Sequence, residues 1–232
     1  MYLNMIRQPL LFTAIFMSLM LSSCDLFKDQ AIKQADQFIS QQNIDKAQED
    51  WEISLPQPPE FSFSQDKTYQ WNLTTNQGDI SIELMPDIAP NHVSSTIYLT
   101  TLGFYNNTIF HRVIPNFMIQ TGGFDKNMQE KTNKAPIKNE SANRLHNDRY
   151  TVAMARTNDP DSATSQFFIN VRTNSSLDFS RSKPGYAVFG DVTAGKDVVY
   201  TISLQATGRR NGYSDVPEEN IVIQKAYRKV SE

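Results

Sequence analysis

Residues 110–123 read FHRVIPNFMIQTGG, an apolar stretch that contains one arginine, Arg112, and one glutamine, Gln120. Aromatic and branched side chains bounded by Pro, Asn and Gly predict two short strands here. Successive side chains of a strand point to opposite faces. Phe110 is therefore expected on the same face as Arg112, and Met118 on the same face as Gln120. Each strand would then present one polar and one large apolar group together.

A second mixed face is predicted for SQFFINV, residues 165–171. Gln166 and Phe168 should point to one side of this strand. The opposite side is entirely apolar and is expected to face the core: Phe167, Ile169 and Val171. Taken singly, each polar residue is compatible with a solvated strand. Taken together, they predict an outer surface with an apolar pocket and a few hydrogen-bonding groups, which suits an apolar ligand flanked by amides.

Short strand-like segments recur along the chain and predict a mainly β domain. The clearest pair is YQWNLTTNQGDISIEL, residues 69–84, where apolar side chains alternate on both sides of an Asn-Gln-Gly turn. One helix is expected to open at Pro90 and close at Gly103, and a second is expected over residues 197–204. Many strands with few helices favour a β-barrel or a sandwich.

The first two dozen residues have the pattern of an export signal. Residues 10–21 read LLFTAIFMSLML and follow a positive charge, Arg7. This apolar run is too short for a comfortable membrane span and is typical of a signal peptide. LSSC, residues 21–24, resembles the lipobox of bacterial lipoproteins, which predicts a signal peptide over residues 1–23 and lipidation of Cys24. The alternative is a plain secretory signal with an incidental cysteine.

Lipidation would place the protein in a bacterial cell envelope, anchored to a membrane and facing the periplasm. Asp25 follows the cysteine and resembles an inner-membrane retention signal. Residues 24–65 are predicted to form a partly helical tether, because an amphipathic pattern at Ile32 and Ala35 is followed by the helix-breaking LPQPPEF. The domain itself is predicted over residues 66–232.

Composition narrows the possible partners. The chain has 232 residues, a net charge of −3 and no basic run, so nucleic acid is not an expected partner. It has a single cysteine, and its three histidines, His92, His111 and His146, are scattered along the sequence. Neither a disulfide nor a metal site is therefore predicted. His111 is expected to be a packed structural residue on the opposite face from Arg112.

The motifs FHRVIPNFMIQTGGF, TVAMARTNDPDSATSQFFINV and GYAVFGDV resemble cyclophilins, the peptidyl-prolyl isomerases, over residues 68–230. The resemblance implies a closed eight-stranded antiparallel β-barrel capped by two α-helices, with a peptide site on its outer surface. It implies that Arg112 is the catalytic residue. The substrate-binding residues it implies are the pocket walls Phe117, Met118, Phe168 and Leu177, the amides Gln120 and Gln166, the backbone segment Ala155, Arg156 and Thr157, and Tyr186.

Two positions depart from the pattern of many members of that family. Ser176 stands where tryptophan or phenylalanine is common, which removes one apolar wall, and Tyr186 stands where histidine is frequent. The expected function is isomerisation of X-Pro bonds to assist folding of exported proteins, by a monomer that needs no cofactor. The alternative is a chaperone or assembly factor that binds proline-containing segments with little turnover.

Overall fold

A computed structural model describes residues 28–48, 51–131 and 135–232. The predicted signal peptide, the lipidation site Cys24 and the neighbouring Asp25 lie outside the described residues and stay predictions. Among the helices of these three ranges, none has the length and apolar character needed to cross a bilayer.

The first hairpin shows how side-chain alternation builds the sheet. Trp71 lies opposite Ile82, and Leu73 lies opposite Ile80, in antiparallel register. All four side chains are fully buried, so the apolar face of both strands points into the core as predicted. In the described part of the chain the strands are β1 (Thr68–Thr75), β2 (Gly78–Leu84), β3 (Thr108–Ile109), β4 (Arg112–Ile114), β5 (Met118–Thr121), β6 (Thr151–Met154), β7 (Phe167–Asn170), β8 (Val188–Ala194), β9 (Thr207–Arg210), β10 (Tyr213–Pro217) and β11 (Val222–Ser231).

Nine strands form one antiparallel sheet in the order β3-β11-β1-β2-β8-β6-β7-β5-β4, and β9 pairs with β10 in a separate hairpin. The two end strands, β3 and β4, are separated in the chain only by Phe110 and His111. The sheet therefore curls until its two ends meet.

The mainly β, antiparallel class is confirmed, but the strands differ from the predicted closed ring of eight. Because β3 and β4 are successive pieces of one interrupted strand, they cannot pair with each other. The continuous chain, and not a ladder of hydrogen bonds, joins the two ends of the sheet. Counting β3 and β4 as one strand gives the eight that the resemblance implies.

Within the described residues, three α-helices accompany the sheet: α1 (Gln30–Gln41), α2 (Pro90–Leu102) and α3 (Lys196–Ser203), together with 3-10 turns at Trp51–Ser54, Ser141–Asn143 and Ser175–Leu177. Helix α2 begins with Pro90 and ends at Gly103, which has a φ of 75°; both features agree with the prediction. Helix α2 packs against β11, and α3 packs against β2, β4 and β5. Both helices contribute apolar side chains to the core of the sheet.

The N-terminus of α2 is capped by a residue that is remote in sequence. Its N-cap, Ala89, has no side chain able to bond the first amides. Glu140 supplies the acceptor instead: its Oε1 accepts from the Asn91 backbone N–H at 3.1 Å, and its Oε2 accepts from the His92 backbone N–H at 3.0 Å. The His92 ring nitrogen Nδ1 also contacts Oε2.

The described part of the predicted tether is docked on the domain. Helix α1 packs on α2, and its buried residues Ala31, Ile32 and Ala35 belong to the same apolar cluster as the sheet interior. Asp29 caps α1 and also accepts a hydrogen bond from the Tyr69 hydroxyl at 2.9 Å. The amphipathic helix was predicted correctly, but the described residues form a packed layer and not an extended spacer, because the apolar face of α1 buries itself against α2.

Candidate active site

One row of side chains crosses four neighbouring strands on the outer face of the sheet. Arg112 of β4 lies opposite Gln120 of β5, and Gln120 lies opposite Phe168 of β7. Phe168 in turn lies opposite Ala153 of β6. Residues that face one another in an antiparallel sheet share a face. The register therefore places the arginine, one amide and one aromatic ring side by side, as the alternation predicted for Arg112, Gln120 and Phe168.

An apolar cluster separate from the core lies beside this row. Its floor is buried, with Met118 2% and Phe168 4% exposed. Its half-buried walls include Phe117, Leu177 and Tyr186. The Tyr186 ring meets Phe168 edge-on, with 5.6 Å between the ring centroids. All four predicted pocket walls therefore belong to one outer cluster, which contains Met118, Ala153, Phe168 and Val188 packed with Ile114, Phe117, Leu145, Ala155, Leu177 and Tyr186.

The two predicted amides contact each other between the arginine and the pocket. Gln120 donates from Nε2 to Oε1 of Gln166 at 2.9 Å. A side chain at Gly123 would collide with Gln166, because an added Cβ would lie within 2.6 Å of its amide nitrogen. Gly123 thus leaves room for Gln166 to reach Gln120. The amide group of Gln166 is therefore held in place by this bond.

Arg156 braces one side of the pocket with its side chain. It donates to the carbonyl oxygens of Gly185 and Pro184 at 3.3 and 2.8 Å. Its guanidinium also lies 4.5 Å from the centre of the Tyr186 ring. The sequence predicted a role only for the backbone of this segment. The structure adds that the Arg156 side chain fixes the loop that carries Tyr186.

The neighbouring residues of this segment are also ordered by hydrogen bonds. The Ala155 backbone N–H donates to the Gln166 carbonyl at 2.9 Å, which joins the segment to the strand that carries Phe168. The backbone N–H of Thr157 donates to the Ser162 hydroxyl at 2.9 Å. Ala155 therefore belongs to the outer cluster and Arg156 lies over Tyr186 of that cluster, while Thr157 continues the segment away from it.

The loop that carries Leu177 is fastened at its base by Asp178. The carboxylate accepts from the Asn147 backbone N–H at 2.7 Å and contacts His146 Nδ1 at 2.9 Å. Burial alone would raise the pKa of Asp178, but hydrogen bonds from Asn147 and His146 outweigh burial and lower this pKa. The exposed Ser176 adds no apolar surface to the pocket. The wall here consists of Leu177 alone.

Arg112 stands at the border between the pocket and a second cavity. Its side chain is 42% exposed, and its Nε lies 3.7 Å from Oδ2 of Asp215 in β10. The cavity measures about 230 Å³. Besides Arg112 it is lined by His111, Gln120, Phe124, Glu130, Gln166, Tyr213 and Ser214. A cation therefore faces an open space with an apolar pocket on one side and a polar cavity on the other.

The predicted faces of Phe110 and His111 are wrong. Phe110 is 1% exposed and belongs to the interior core, whereas His111 lines the same cavity as Arg112. Strand alternation fails because these two residues lie between β3 and β4, outside regular strand geometry. The packed character of His111 is confirmed: it is 4% exposed, and its ring lies 4.6 Å from that of Phe124. Burial lowers the pKa of His111 to about 4, so the ring is neutral at physiological pH.

Sequence reasoning missed the β9–β10 hairpin, which forms the far side of the cavity. Asn211 and Gly212 connect its strands, with φ values of 51° and 86°. An Asn-Gly pair between two strand segments is the strongest short-range hairpin signal, so the sequence did contain the evidence. The residues that went unnoticed for this reason are Tyr213, Ser214 and Asp215.

This arrangement favours binding and orientation of a peptide over proton transfer or metal chemistry. Among the described residues, the ionisable groups that line the cavity with Arg112 are Glu130, Tyr213 and His111, whose ring is neutral. Across the described ranges there is no group of three or more His, Cys, Asp or Glu side chains placed to hold a metal ion. What the site offers is a cation, two amides joined by a hydrogen bond and an apolar pocket.

Comparison with known proteins agrees with this chemistry. Residues 71–228 match the family described as cyclophilin type peptidyl-prolyl cis-trans isomerase. The chain is 52% identical over 157 residues to the peptidyl-prolyl cis-trans isomerase cyp18 of Streptomyces antibioticus, covering 66% of this chain and 95% of that protein. It is 52% identical over 153 residues to the peptidyl-prolyl cis-trans isomerase B of Escherichia coli, covering 65% and 93%.

Solved structures show the same fold. A cyclophilin type peptidyl-prolyl cis-trans isomerase of Cryptosporidium parvum aligns with a TM-score of 0.58 and 25% identity, covering 70% of this chain and 98% of that one. A second structure of that protein, determined in the presence of the dipeptide Ala-Pro, aligns with a TM-score of 0.56 and 26% identity, covering 68% and 96%. The chain therefore belongs to the cyclophilin family and is a peptidyl-prolyl cis-trans isomerase.

Proposed function

We propose that this isomerase assists the folding of exported polypeptides in a bacterial cell envelope, with Arg112 as its catalytic residue. The observation that carries the proposal for Arg112 is the register that places it in one row with Gln120 and Phe168, a member of the outer apolar cluster. The sequence of the first 24 residues supports the location in the envelope.

Isomerisation of an X-Pro bond needs no bond to be made or broken. The barrier of about 18–20 kcal/mol arises from amide resonance, which is lost when the bond is twisted. In the twisted state the prolyl nitrogen becomes pyramidal, and its lone pair can accept a hydrogen bond. A cationic donor aimed at this lone pair stabilises the twisted amide more than either planar ground state. Arg112 suits this task because arginine stays charged and presents several donors in a fixed plane.

The apolar cluster has the character of a proline site. Met118 and Phe168 form its floor, and Phe117, Leu177 and Tyr186 form its walls. Holding the proline ring there leaves the residue before it free to rotate. The apolar surroundings also strengthen the attraction between Arg112 and the prolyl nitrogen. The structure of the Cryptosporidium parvum relative was determined in the presence of the dipeptide Ala-Pro, which supports proline-containing peptides as the ligands of this chain.

The ordered amides give the peptide a direction. The Gln120–Gln166 hydrogen bond leaves the Gln166 amide nitrogen available to a peptide carbonyl. The edge formed by residues 155–157 lies next to Gln166 and is rigid enough to pair with an extended backbone. We assign the substrate site to the residues predicted from the sequence: Phe117, Met118, Gln120, Ala155, Arg156, Thr157, Gln166, Phe168, Leu177 and Tyr186.

A protease-coupled prolyl isomerisation assay tests the role of Arg112. Arg112→Ala should lower kcat/KM by about 10²-fold or more, because one preorganised electrostatic contact to a transition state contributes on the order of 10²–10³ in rate. Arg172→Ala is the matched control, since Arg172 is an exposed arginine beyond the end of β7, and it should retain wild-type activity. Full activity of Arg112→Ala would disprove the assignment.

The location in the envelope rests on Cys24 and is tested separately. In a bacterial host, metabolic labelling with a fatty acid should mark the full-length protein and leave Cys24→Ser unmarked. Two acyl chains suffice for stable membrane attachment, whereas one chain alone binds reversibly. Absence of label in the wild type would refute the lipid anchor without affecting the enzymatic assignment. Membrane fractionation of the Asp25→Ser variant tests whether Asp25 favours the inner membrane.

A further inference from the structure

The β9–β10 hairpin is built firmly against the strand that carries Arg112. It packs on β4, and its Val216 is 1% exposed in a small apolar cluster with Ile109, Phe124 and Met128. Tyr213 meets Phe124 edge-on, with 5.0 Å between the ring centroids. Because buried apolar contacts hold the hairpin, its polar residues keep a fixed position relative to Arg112.

The backbone of the hairpin directs Asp215 toward the site. The β9–β10 register shifts between Tyr213 and Val216, and Asp215 has a φ of 61° in the left-handed region. Such an irregularity bends a strand and turns a side chain away from the direction that regular alternation would give. A left-handed φ is uncommon for residues other than glycine, although Asp and Asn tolerate it.

Asp215 meets Arg112 on one edge of the guanidinium. The closest approach joins Nε of Arg112 and Oδ2 of Asp215 at 3.7 Å. Among the described residues, Asp215 is the only carboxylate within 4.0 Å of Arg112. Glu130 lines the same cavity without reaching that distance. Contact at Nε leaves the outer edge of the guanidinium, with its two terminal nitrogens, available to a peptide.

We propose that Asp215 is a positioning residue that holds the guanidinium of Arg112 in the orientation required for isomerisation. Arg112 is nearly half exposed and has several rotatable bonds, so without a partner it samples many orientations. The Asp215 contact restricts this motion before the substrate arrives. The inference rests on the catalytic role proposed for Arg112.

The effect on rate follows from the exposure of the pair. Half-exposed ion pairs are screened by solvent, so loss of the Asp215 charge should lower kcat about three- to fivefold. KM for a proline-containing peptide should change less than about twofold, because the contact acts on the transition state and not on the pocket. A loss in kcat without a matching change in KM distinguishes positioning from general damage to the site.

The informative variant is Asp215→Asn, because asparagine keeps the shape of the side chain, tolerates the left-handed φ and removes the charge. Glu219→Gln is the matched control, because Glu219 is exposed and follows the same hairpin. This substitution changes the net charge of the protein by the same amount as Asp215→Asn. Thermal unfolding of both variants should match that of the wild type. Raising the salt concentration from about 0.05 to 0.5 M should reduce wild-type kcat toward the Asp215→Asn value and leave the variant nearly unchanged.

A second comparison shows whether Asp215 acts through Arg112. In the Arg112→Lys variant the Nε contact is absent, so adding Asp215→Asn should change kcat by less than about 1.5-fold. A threefold loss in that background would show that Asp215 acts independently of Arg112 and would overturn the proposal. The proposal would also be overturned if Asp215→Asn alone were as active as Glu219→Gln or faster than the wild type. If Arg112→Ala proves fully active, the catalytic assignment fails; if Arg112→Ala is inactive while Asp215→Asn is normal, only the positioning role fails.

Discussion

Replacing Glu140 with alanine should lower the free energy of unfolding by about 3 kcal/mol. The carboxylate is the acceptor for the first amides of α2, and its side chain is 14% exposed. His92 is 1% exposed and would keep two donors, its backbone N–H and its ring nitrogen, without a partner. A buried donor left unpaired costs about 1–3 kcal/mol. Asn91 is only half-buried, so water can replace its lost bonds at little cost.

Thermal unfolding followed by circular dichroism or calorimetry measures this loss. For a domain of this size, about 3 kcal/mol corresponds to a fall in Tm of about 6–12 °C. Glu140→Gln keeps one acceptor oxygen and should lose about half as much. Glu60→Gln is the control, because Glu60 is exposed and its removal should leave Tm unchanged.

The same carboxylate predicts a dependence of stability on pH. Burial alone would raise the pKa of Glu140, but hydrogen bonds and the charge of His92 lower it below its ordinary value. A carboxyl whose pKa is lower in the folded state stabilises the protein above its unfolded pKa of about 4.3 and loses this contribution as pH falls through the folded pKa. The difference in Tm between wild type and Glu140→Gln should therefore shrink on acidification. An alanine variant within about 1 kcal/mol of wild type at neutral pH would refute the capping role.

Three further predictions concern the pocket, the N-terminal layer and the buried histidine. Ser176→Trp should lower KM for a proline-containing peptide about two- to fivefold with kcat nearly unchanged, because the exposed position gains an apolar wall; an unchanged KM would show that position 176 does not face the peptide. Asp29→Ala should lower Tm by about 2–4 °C, since α1 loses its cap and Tyr69 loses its acceptor, at a cost of about 1 kcal/mol; activity should stay constant, and an unchanged Tm would contradict docking of α1. Because burial lowers the pKa of His111 to about 4, kcat/KM should be independent of pH between about pH 5.5 and 8. A change in kcat/KM near pH 6.5 that disappears in His111→Gln would contradict the neutral, structural role of His111. Stability, in contrast, should decline as pH falls from about 6.5 toward 4, because the folded pKa of His111 lies below the unfolded one.

Regular alternation made the centre of the site predictable. In β5 and β7 every second residue points outward, so the placement of Met118, Gln120 and Phe168 on one face followed from the sequence. The apolar hairpin of β1 and β2 was equally clear, because both strands are regular along their whole length. The resemblance to the family then supplied roles for residues that no periodic pattern distinguishes, such as Leu177.

Alternation failed where the backbone leaves the strand. Phe110 and His111 lie between two strand segments, and their faces were predicted as if the strand were continuous. No local pattern signals such a break, because it depends on how the sheet curls and on contacts with β11. The same holds for Glu140, whose role at the start of α2 depends on a contact between residues almost fifty positions apart.

The N-terminal layer shows a different limit. The amphipathic pattern of α1 predicted a helix correctly, but an apolar face does not say what covers it. That face is buried against α2, and the partner could be identified only once the position of α2 on the sheet was known. The β9–β10 hairpin, in contrast, carried the readable signal of Asn211 and Gly212.

Docking of the N-terminal layer restricts where the enzyme can work if Cys24 carries lipids as we propose. Only three residues, 25–27, lie between Cys24 and Lys28, the first residue described at the docked layer. The four Cα-to-Cα steps from position 24 to position 28 span at most about 14 Å even when fully extended. The catalytic domain would then be confined to a thin zone along the bilayer. It would meet its clients as they emerge at the membrane surface, where encounters take place in two dimensions.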